Sequence, residues 1–437
     1  MTATNPAPIS APDFLPLGDL RATQLRRLQR MVQRAYDRVP LFRRRMDDRD
    51  LTPADVRSLN DVPRLPFTVK ADLRDTYPFG LFASPMADIV RLHASSGTTG
   101  KPIVVAYTAK DLGVWTETMV RSFASCGVHA GDIVQVAYTY GLFTGGLGAH
   151  YGAEALGAAV IPVSGSNTER QLMVMKDFGV TVICCTPSYF LHLIDRSEQM
   201  GIDMRTLALR TGVFGAEPWT ENMRQRIEAH TNITAYDMYG LSEIIGPGVG
   251  IECAHRTGLH IFEDHFLAEI IDPTTLEGVP DGAEGELVLT TLSKEAMPMI
   301  RYRTRDITAF APAPCPCGRT LRRIRRIGRR SDDMLIIRGV NVFPSQIEAA
   351  LLRVEGTLPH YQIVLTRERD LDQIEVQVEV TPDVFSDEVR VLEELQKKIA
   401  HSIETITGIR VALRLVAPYT IQRSEGKAKR VIDKRGV

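Results

Sequence analysis

The stretch His93-Ala94-Ser95-Ser96-Gly97-Thr98-Thr99-Gly100-Lys101-Pro102 decides how the rest of the chain is read. It follows an apolar run at 89–92 with the character of a strand. Gly97 and Gly100 let the backbone come close to an anion. Ser95, Ser96, Thr98, Thr99 and Lys101 offer hydroxyl and ammonium donors to phosphate oxygens. By composition this is a phosphate-gripping loop. A Walker A loop is excluded: Ser95 stands where that motif has its first glycine, and Pro102 where it has the Ser or Thr that binds magnesium.

Downstream of the loop, short apolar runs at 133–137, 158–163, 180–185 and 210–214 alternate with helical stretches, which predicts α/β layers. Upstream, Leu20, Leu25, Leu28, Met31, Val32 and Tyr36 fall near helical spacing and predict a basic amphipathic helix ending at Pro40. After Asp333 the pattern changes. Segments 360–366, 373–380 and 410–417 read as strands, and 387–406 as an amphipathic helix. The expectation is an α/β protein with a large layered N-terminal domain of mixed sheets and helices over 1–332, followed by a small α+β domain over 333–437.

Composition narrows the partners. A formal net charge of −1 over 437 residues gives no global attraction to nucleic acid or to an anionic membrane. The segment from Met1 to Pro12 lacks a basic start followed by an apolar stretch, and no apolar run is long enough to span a bilayer, so the cytoplasm is expected. Six cysteines are too few and too scattered for a disulfide framework. Seven arginines crowd 319–330, and without a nucleic-acid motif they are expected to pack near phosphates and across the domain boundary.

Four further clusters carry chemistry. In Tyr236-Asp237-Met238-Tyr239-Gly240-Leu241-Ser242-Glu243, an aromatic that can stack on a purine and a carboxylate suited to magnesium fall within five residues. In Arg301-Tyr302-Arg303-Thr304-Arg305-Asp306, a lone carboxylate in a cationic setting suits the two hydroxyls of a ribose. Tyr138, Tyr140 and Phe143 precede a glycine-rich turn and could face an aryl group. Cys253, His260, Cys315 and Cys317, with His255 as an alternative fourth ligand, form a candidate structural zinc site. Each has a plainer reading by itself: a strand-end turn, a surface ion cluster, core packing, free thiols.

Taken in this order, together with Phe214-Gly215-Ala216-Glu217-Pro218-Trp219, Arg330-Ser331-Asp332-Asp333 and Arg423-Ser424-Glu425-Gly426-Lys427-Ala428, the motifs resemble the adenylate-forming superfamily of acyl-CoA synthetases, luciferases and adenylation domains. The chain resembles the phenylacetate-CoA ligase family more closely, from about Tyr36 to Arg435. Tyr140-Gly141-Leu142-Phe143-Thr144-Gly145-Gly146-Leu147-Gly148, Glu263-Asp264-His265-Phe266 and Arg338-Gly339-Val340-Asn341-Val342-Phe343-Pro344 extend the likeness.

The resemblance implies ATP, magnesium and coenzyme A, a small carboxylic acid substrate, a homodimer and a mobile C-terminal domain. By it, the loop from Ser95 to Lys101 holds the β- and γ-phosphates. Gly215, Ala216, Glu217 and Pro218 line the adenine, the first two also bordering the acid. Tyr239 stacks on the base, with Asp237, Gly240 and Ser242 around it; Glu243 binds magnesium, and Asp306 with Arg330 grips the ribose. Lys427 sits between the carboxylate and the α-phosphate, and Asp333 is the hinge. Phenylacetate leads as the acid, with a benzoate-type or small hydroxy acid as alternatives, and a carrier protein or hydroxylated cofactor as alternative acceptors. Thr139, Ser166-Asn167, Phe262 and Arg329 depart from the family pattern, the first two near the acid pocket.

Overall fold

The computed structural model describes residues 8–95, 102–165, 167–311, 314–331, 335–337, 340–368, 371–381, 389–422 and 430–434. The apolar runs become the strands Ile133–Val136, Ala159–Ile161, Val182–Cys185 and Thr211–Gly215, which pair in parallel with one another and with Thr234–Leu241. Successive side chains of a strand point to opposite faces. Val182 and Cys184 accordingly join one apolar core, and Ile183 and Cys185 another. Burial on both faces is why these strands read as unbroken apolar runs rather than alternating ones.

Beyond Thr234–Leu241 the sheet becomes antiparallel through Gly246–Glu252, Leu259–Ile261 and Arg323–Ile324, making eight strands. A second, antiparallel sheet comprises Phe266–Ile271, Gly285–Thr291, Tyr302–Thr308 and Arg329–Arg330. A separate hairpin pairs Ile89–Ser95 with Ile103–Thr108.

Helix Ala109–Ser125 begins at a reciprocal cap: Thr108 Oγ1 accepts from Asp111 N at 3.1 Å, and Asp111 Oδ2 accepts from Thr108 N at 2.9 Å. Asp111 also accepts from the amides of Glu295 and Ala296, at 2.6 and 2.9 Å, which ties that distant turn to the helix. The predicted N-terminal helix spans Leu17–Arg38, and Pro40 opens a second one, Pro40–Asp47. Proline suits a first helical turn, where its missing N–H would have no partner.

Residues from Leu335 onward have an apolar core of their own. The hairpin of Thr357–Glu368 and Leu371–Val380 is flanked in parallel by Ala412–Val416 on one edge and Val431–Asp433 on the other. Ile399 and Ile403 of helix Val389–Thr407 belong to the same core as Ile363 and Val376. The expected boundary at 332/333, with the hinge residue Asp333, lies outside the described residues. Among the described residues, no helix is long and apolar enough to cross a membrane.

Candidate active site

The carboxyl ends of the parallel strands gather the candidate residues, at the place where the sheet changes from parallel to antiparallel. Ligand crevices of open α/β sheets open at such ends. The register sets Gly215 beside Met238, so the Ala216-Glu217-Pro218 turn and the Tyr239–Glu243 turn leave the sheet together. A Cβ on Gly215 would lie 2.4 Å from the Met238 carbonyl oxygen, so only glycine fits there. Glu217 Oε1 accepts from the amide of Ser188 at 2.8 Å, at the start of helix Pro187–Gln199.

Two sheets meet at Tyr239. Its hydroxyl donates to Asp306 Oδ2 at 2.5 Å, and Arg330 Nη1 lies 2.7 Å from Asp306 Oδ1. Asp306 and Arg330 are direct cross-strand partners in the second sheet. Tyr239 and Asp306 are buried. Burial, then the Asp306 carboxylate, pushes the phenol far up, so Tyr239 stays a donor.

Glu243 is also buried, with Tyr302 Oη donating to Oε1 at 3.3 Å and Lys70 Nζ 3.9 Å from the same oxygen. Behind it, Lys294 is buried with Nζ 3.4 Å from the Glu243 carbonyl oxygen and 4.7 Å from the Tyr107 ring centroid. Desolvation draws this ammonium down to about 8, against the pull of Asp111 and Glu243. Lys70 and Lys294 carry no motif signal, and Tyr302 lies within the 301–306 cluster without a role read for it there. They reach the site only through contacts distant in sequence.

Of the aromatic trio, Tyr138 and Phe143 rings stand 6.4 Å apart, Tyr138 Oη donates to the Cys185 carbonyl at 2.8 Å, and Tyr140 Oη lies 3.2 Å from His150 Nδ1. Their turn is tied to the rest of the site at two points. Thr144 Oγ1 lies 3.0 Å from Ser242 Oγ, and the Ala94 amide donates to the Leu142 carbonyl at 2.9 Å. A Cβ on Gly240 would lie 2.1 Å from the Gly246 carbonyl oxygen, which fixes glycine between Tyr239 and Leu241.

Asp237 stands in a charge cluster of its own. Its amide donates to Glu252 Oε2 at 2.8 Å, and its carboxylate lies 3.6 Å from Arg326. Burial, then Glu252, pushes the carboxyl up to about 6. Most of the arginine run is likewise taken up by acids: Arg319 by Asp13, Arg326 by Glu221, Arg329 by Glu284 and Arg330 by Asp306. The phosphate loop itself, Ser96 to Lys101, lies outside the described residues, as does Lys427. Ser95 is described in its backbone alone, paired with Ile103 at the mouth of the hairpin.

The structure brings Cys253, His260, Cys315 and Cys317 together, one donor atom of each lying within 4.8 Å of the others. Cys253 and Cys315 sulfurs are 3.5 Å apart, and His260 Nε2 is 3.4 Å from Cys317 Sγ. A tetrahedron with Zn–S bonds of about 2.3 Å has edges of about 3.8 Å. His260 Nδ1 lies 3.3 Å from the Leu321 carbonyl, to which it can donate, leaving the Nε2 lone pair turned to the sulfurs. His255 is not part of this cluster.

Comparison with known proteins gives the family. Residues 54–293 match the family described as AMP-binding enzyme, and residues 339–435 the AMP-binding enzyme C-terminal domain. Fold and site thus define an adenylate-forming enzyme. Over 420 residues the chain is 50% identical to a phenylacetate-coenzyme A ligase of Aromatoleum evansii, covering 95% of each chain. It superposes on a solved 2-hydroxyisobutyryl-CoA ligase, in the postadenylation state with R3-HIB-AMP, with a TM-score of 0.91 at 29% identity, covering 100% of this chain and 95% of that one. Against the same ligase with 2-HIB-AMP and CoA in the thioesterification state, the TM-score is 0.72 at 30% identity, with the same coverage. The chain belongs to the phenylacetate-CoA ligase family.

Proposed function

We propose that the chain is an AMP-forming acid-CoA ligase that activates phenylacetate, or a close aryl acid, as its acyl-AMP and passes the acyl group to coenzyme A. The observation that carries this reading is the Tyr239–Asp306–Arg330 chain standing four residues from Glu243 at the carboxyl ends of the parallel strands. Asp306, held in place by Tyr239 and Arg330, would accept the ribose hydroxyls. Tyr239, pinned by its hydroxyl, would offer a fixed ring face to the adenine, opposite the Gly215-Ala216-Glu217-Pro218 turn.

An oxygen of the acid attacks the α-phosphorus of ATP, the bond to the β-phosphate breaks, and pyrophosphate leaves. The CoA sulfur then attacks the acyl carbon, the bond to AMP breaks, and the thiol proton passes to solvent. In the first step two anions approach, so charge neutralisation and positioning supply most of the rate. Glu243, a buried carboxylate among the candidate residues, would hold magnesium, whose charge offsets that of the phosphates. Lys101 and Lys427 would act on the phosphates and the attacking carboxylate, with Asp333 the pivot between half-reactions. Tyr138, Tyr140 and Phe143 would enclose the aryl ring. Zinc in the Cys253, His260, Cys315 and Cys317 cluster would be structural, remote from these groups in role.

The test is release of AMP and pyrophosphate from ATP across a panel of aryl and short hydroxy acids, with and without CoA. CoA-dependent AMP formation with phenylacetate is expected. Pyrophosphate release that CoA leaves unchanged would refute the thiol acceptor, and activity confined to short hydroxy acids would refute the aryl acid.

A further inference from the structure

Lys294 is 1% exposed, yet it carries an amine into the core. A buried ammonium is costly, and a well-packed apolar side chain would fill the same space at less cost. What it touches gives a reason for it. Its Nζ lies 3.4 Å from the Glu243 carbonyl oxygen and 4.7 Å from the centroid of the Tyr107 ring, whose face attracts a cation. The backbone just beyond it is fixed, because Asp111 accepts from the amides of Glu295 and Ala296 at 2.6 and 2.9 Å.

The Glu243 carbonyl is the first of three. Tyr107 Oη donates to the Ile245 carbonyl at 3.0 Å, and Trp115 Nε1 donates to the Pro247 carbonyl at 2.9 Å. Alternate carbonyls of 243–247 are thus each met by a buried side chain from another part of the chain. The turn's own bonds run elsewhere, with the amides of Ile244 and Ile245 donating to the Leu241 carbonyl at 3.1 and 3.2 Å. Tyr107 and Trp115 stack with ring centroids 5.1 Å apart, and His93 stands edge-on to both at 5.7 Å. His93 and Tyr107 belong to the two strands of the hairpin that flanks the candidate phosphate loop. The turn bearing Glu243 and the base of that loop are therefore packed on the same aromatic pair.

We propose that Lys294 is a positioning residue for the adenylation half-reaction: with Tyr107 and Trp115 it holds the backbone of 243–247 so that the Glu243 carboxylate is presented to magnesium and ATP. The proposal rests on the ligase reading. Lys294 meets the carbonyl of Glu243, whereas Tyr302 and Lys70 approach its carboxylate, so Lys294 acts on where that carboxylate points. Acyl transfer to CoA follows the departure of pyrophosphate and does not call on this carboxylate.

The test uses the full chain and separates the half-reactions. Lys294→Met fills the space without the charge. It should raise the magnesium concentration for half-maximal pyrophosphate release roughly fivefold or more and lower kcat roughly tenfold, with KM for phenylacetate within about threefold. Thioester formation from supplied phenylacetyl-AMP and CoA should stay within about twofold. Binding of manganese together with a non-hydrolysable ATP analogue, followed by electron paramagnetic resonance, should weaken by a similar factor with no turnover involved. Tyr107→Phe keeps the ring against Lys294 and removes only the hydrogen bond to Ile245. It should shift both metal readouts the same way by about two- to threefold, and it decides the matter if Lys294→Met does not fold. Equal losses in both half-reactions, or unchanged metal dependence in a folded variant, would overturn the role of Lys294. An unsubstituted protein that performs neither half-reaction overturns the ligase reading instead.

Discussion

Replacing Asp306 by Asn tests the nucleotide site where its geometry is tightest. The carboxylate is 5% exposed and bound on both oxygens, at 2.5 Å by Tyr239 and 2.7 Å by Arg330. Asn preserves the shape, keeps one acceptor and loses the charge. Hydrogen bonds to a charged acceptor contribute roughly 1.5–3 kcal/mol, against about 1 kcal/mol for neutral ones. Two ribose hydroxyls moved from a charged to a neutral partner therefore cost roughly 2–3 kcal/mol, or about 30- to 150-fold in kcat/KM for ATP. The assay is pyrophosphate release at saturating acid, run in parallel with 2′,3′-dideoxy-ATP. The analogue should cost the unsubstituted protein a similar factor, and Asp306→Asn should add little further loss on the analogue. If Asp306→Asn keeps kcat/KM for ATP within about threefold, or the analogue costs the unsubstituted protein nothing, the ribose assignment is wrong.

Gly240→Ala, whose new methyl would lie 2.1 Å from the Gly246 carbonyl oxygen, should destabilise the protein by roughly 2–4 kcal/mol in a denaturant melt and abolish pyrophosphate release by displacing Tyr239 and Glu243; an unchanged midpoint would refute the contact. Metal analysis of the gel-filtered protein should find about one zinc per chain, lost in Cys317→Ser together with thermal stability, whereas a metal-free protein of full stability would leave the cluster as thiols. Glu348 gives a pH prediction: burial first, and Glu217 as well, push its carboxyl from 4.5 up to about 7, against the pull of Arg430, with Tyr361 the other titratable group facing it. The folded chain then keeps a proton that the unfolded chain has lost, so this stability is complete below the unfolded pKa and disappears as pH rises through the folded one. Glu348→Gln, always neutral, should gain on the unsubstituted protein between about pH 5 and about pH 8, by up to ~3 kcal/mol, and a gap in melting temperature that does not change with pH would contradict this.

The parts of the fold that showed in the sequence are those whose signal is local. Strands buried on both faces left unbroken apolar runs, Pro40 punctuated the N-terminal helices, and the glycines of the Gly215 and Gly240 turns stand where a neighbouring carbonyl leaves no room for a Cβ. Lys294 gave no such signal: its burial is made by Tyr107 and by Asp111, more than 180 residues away in sequence. Val431–Asp433 is too short for any periodicity, and the pairing of Arg430 with Glu348 joins residues 82 positions apart.

The segment at 301–306 held more than its arginines suggested. It lies at the start of strand Tyr302–Thr308, in which buried and part-exposed residues strictly alternate. Arg303 and Arg305 turn to one side and meet Glu286, while Tyr302, Thr304 and Asp306 share the buried side. Tyr302 then reaches Glu243 and Asp306 reaches Tyr239: two residues four apart in one strand hold two residues four apart where strand Thr234–Leu241 runs into its turn. The carboxylate suited to magnesium and the ring suited to adenine are therefore held by one strand, across the irregularity in its pairing between Arg303 and Ile307, and a change that loosens the Tyr302–Thr308 strand should impair both together rather than either alone.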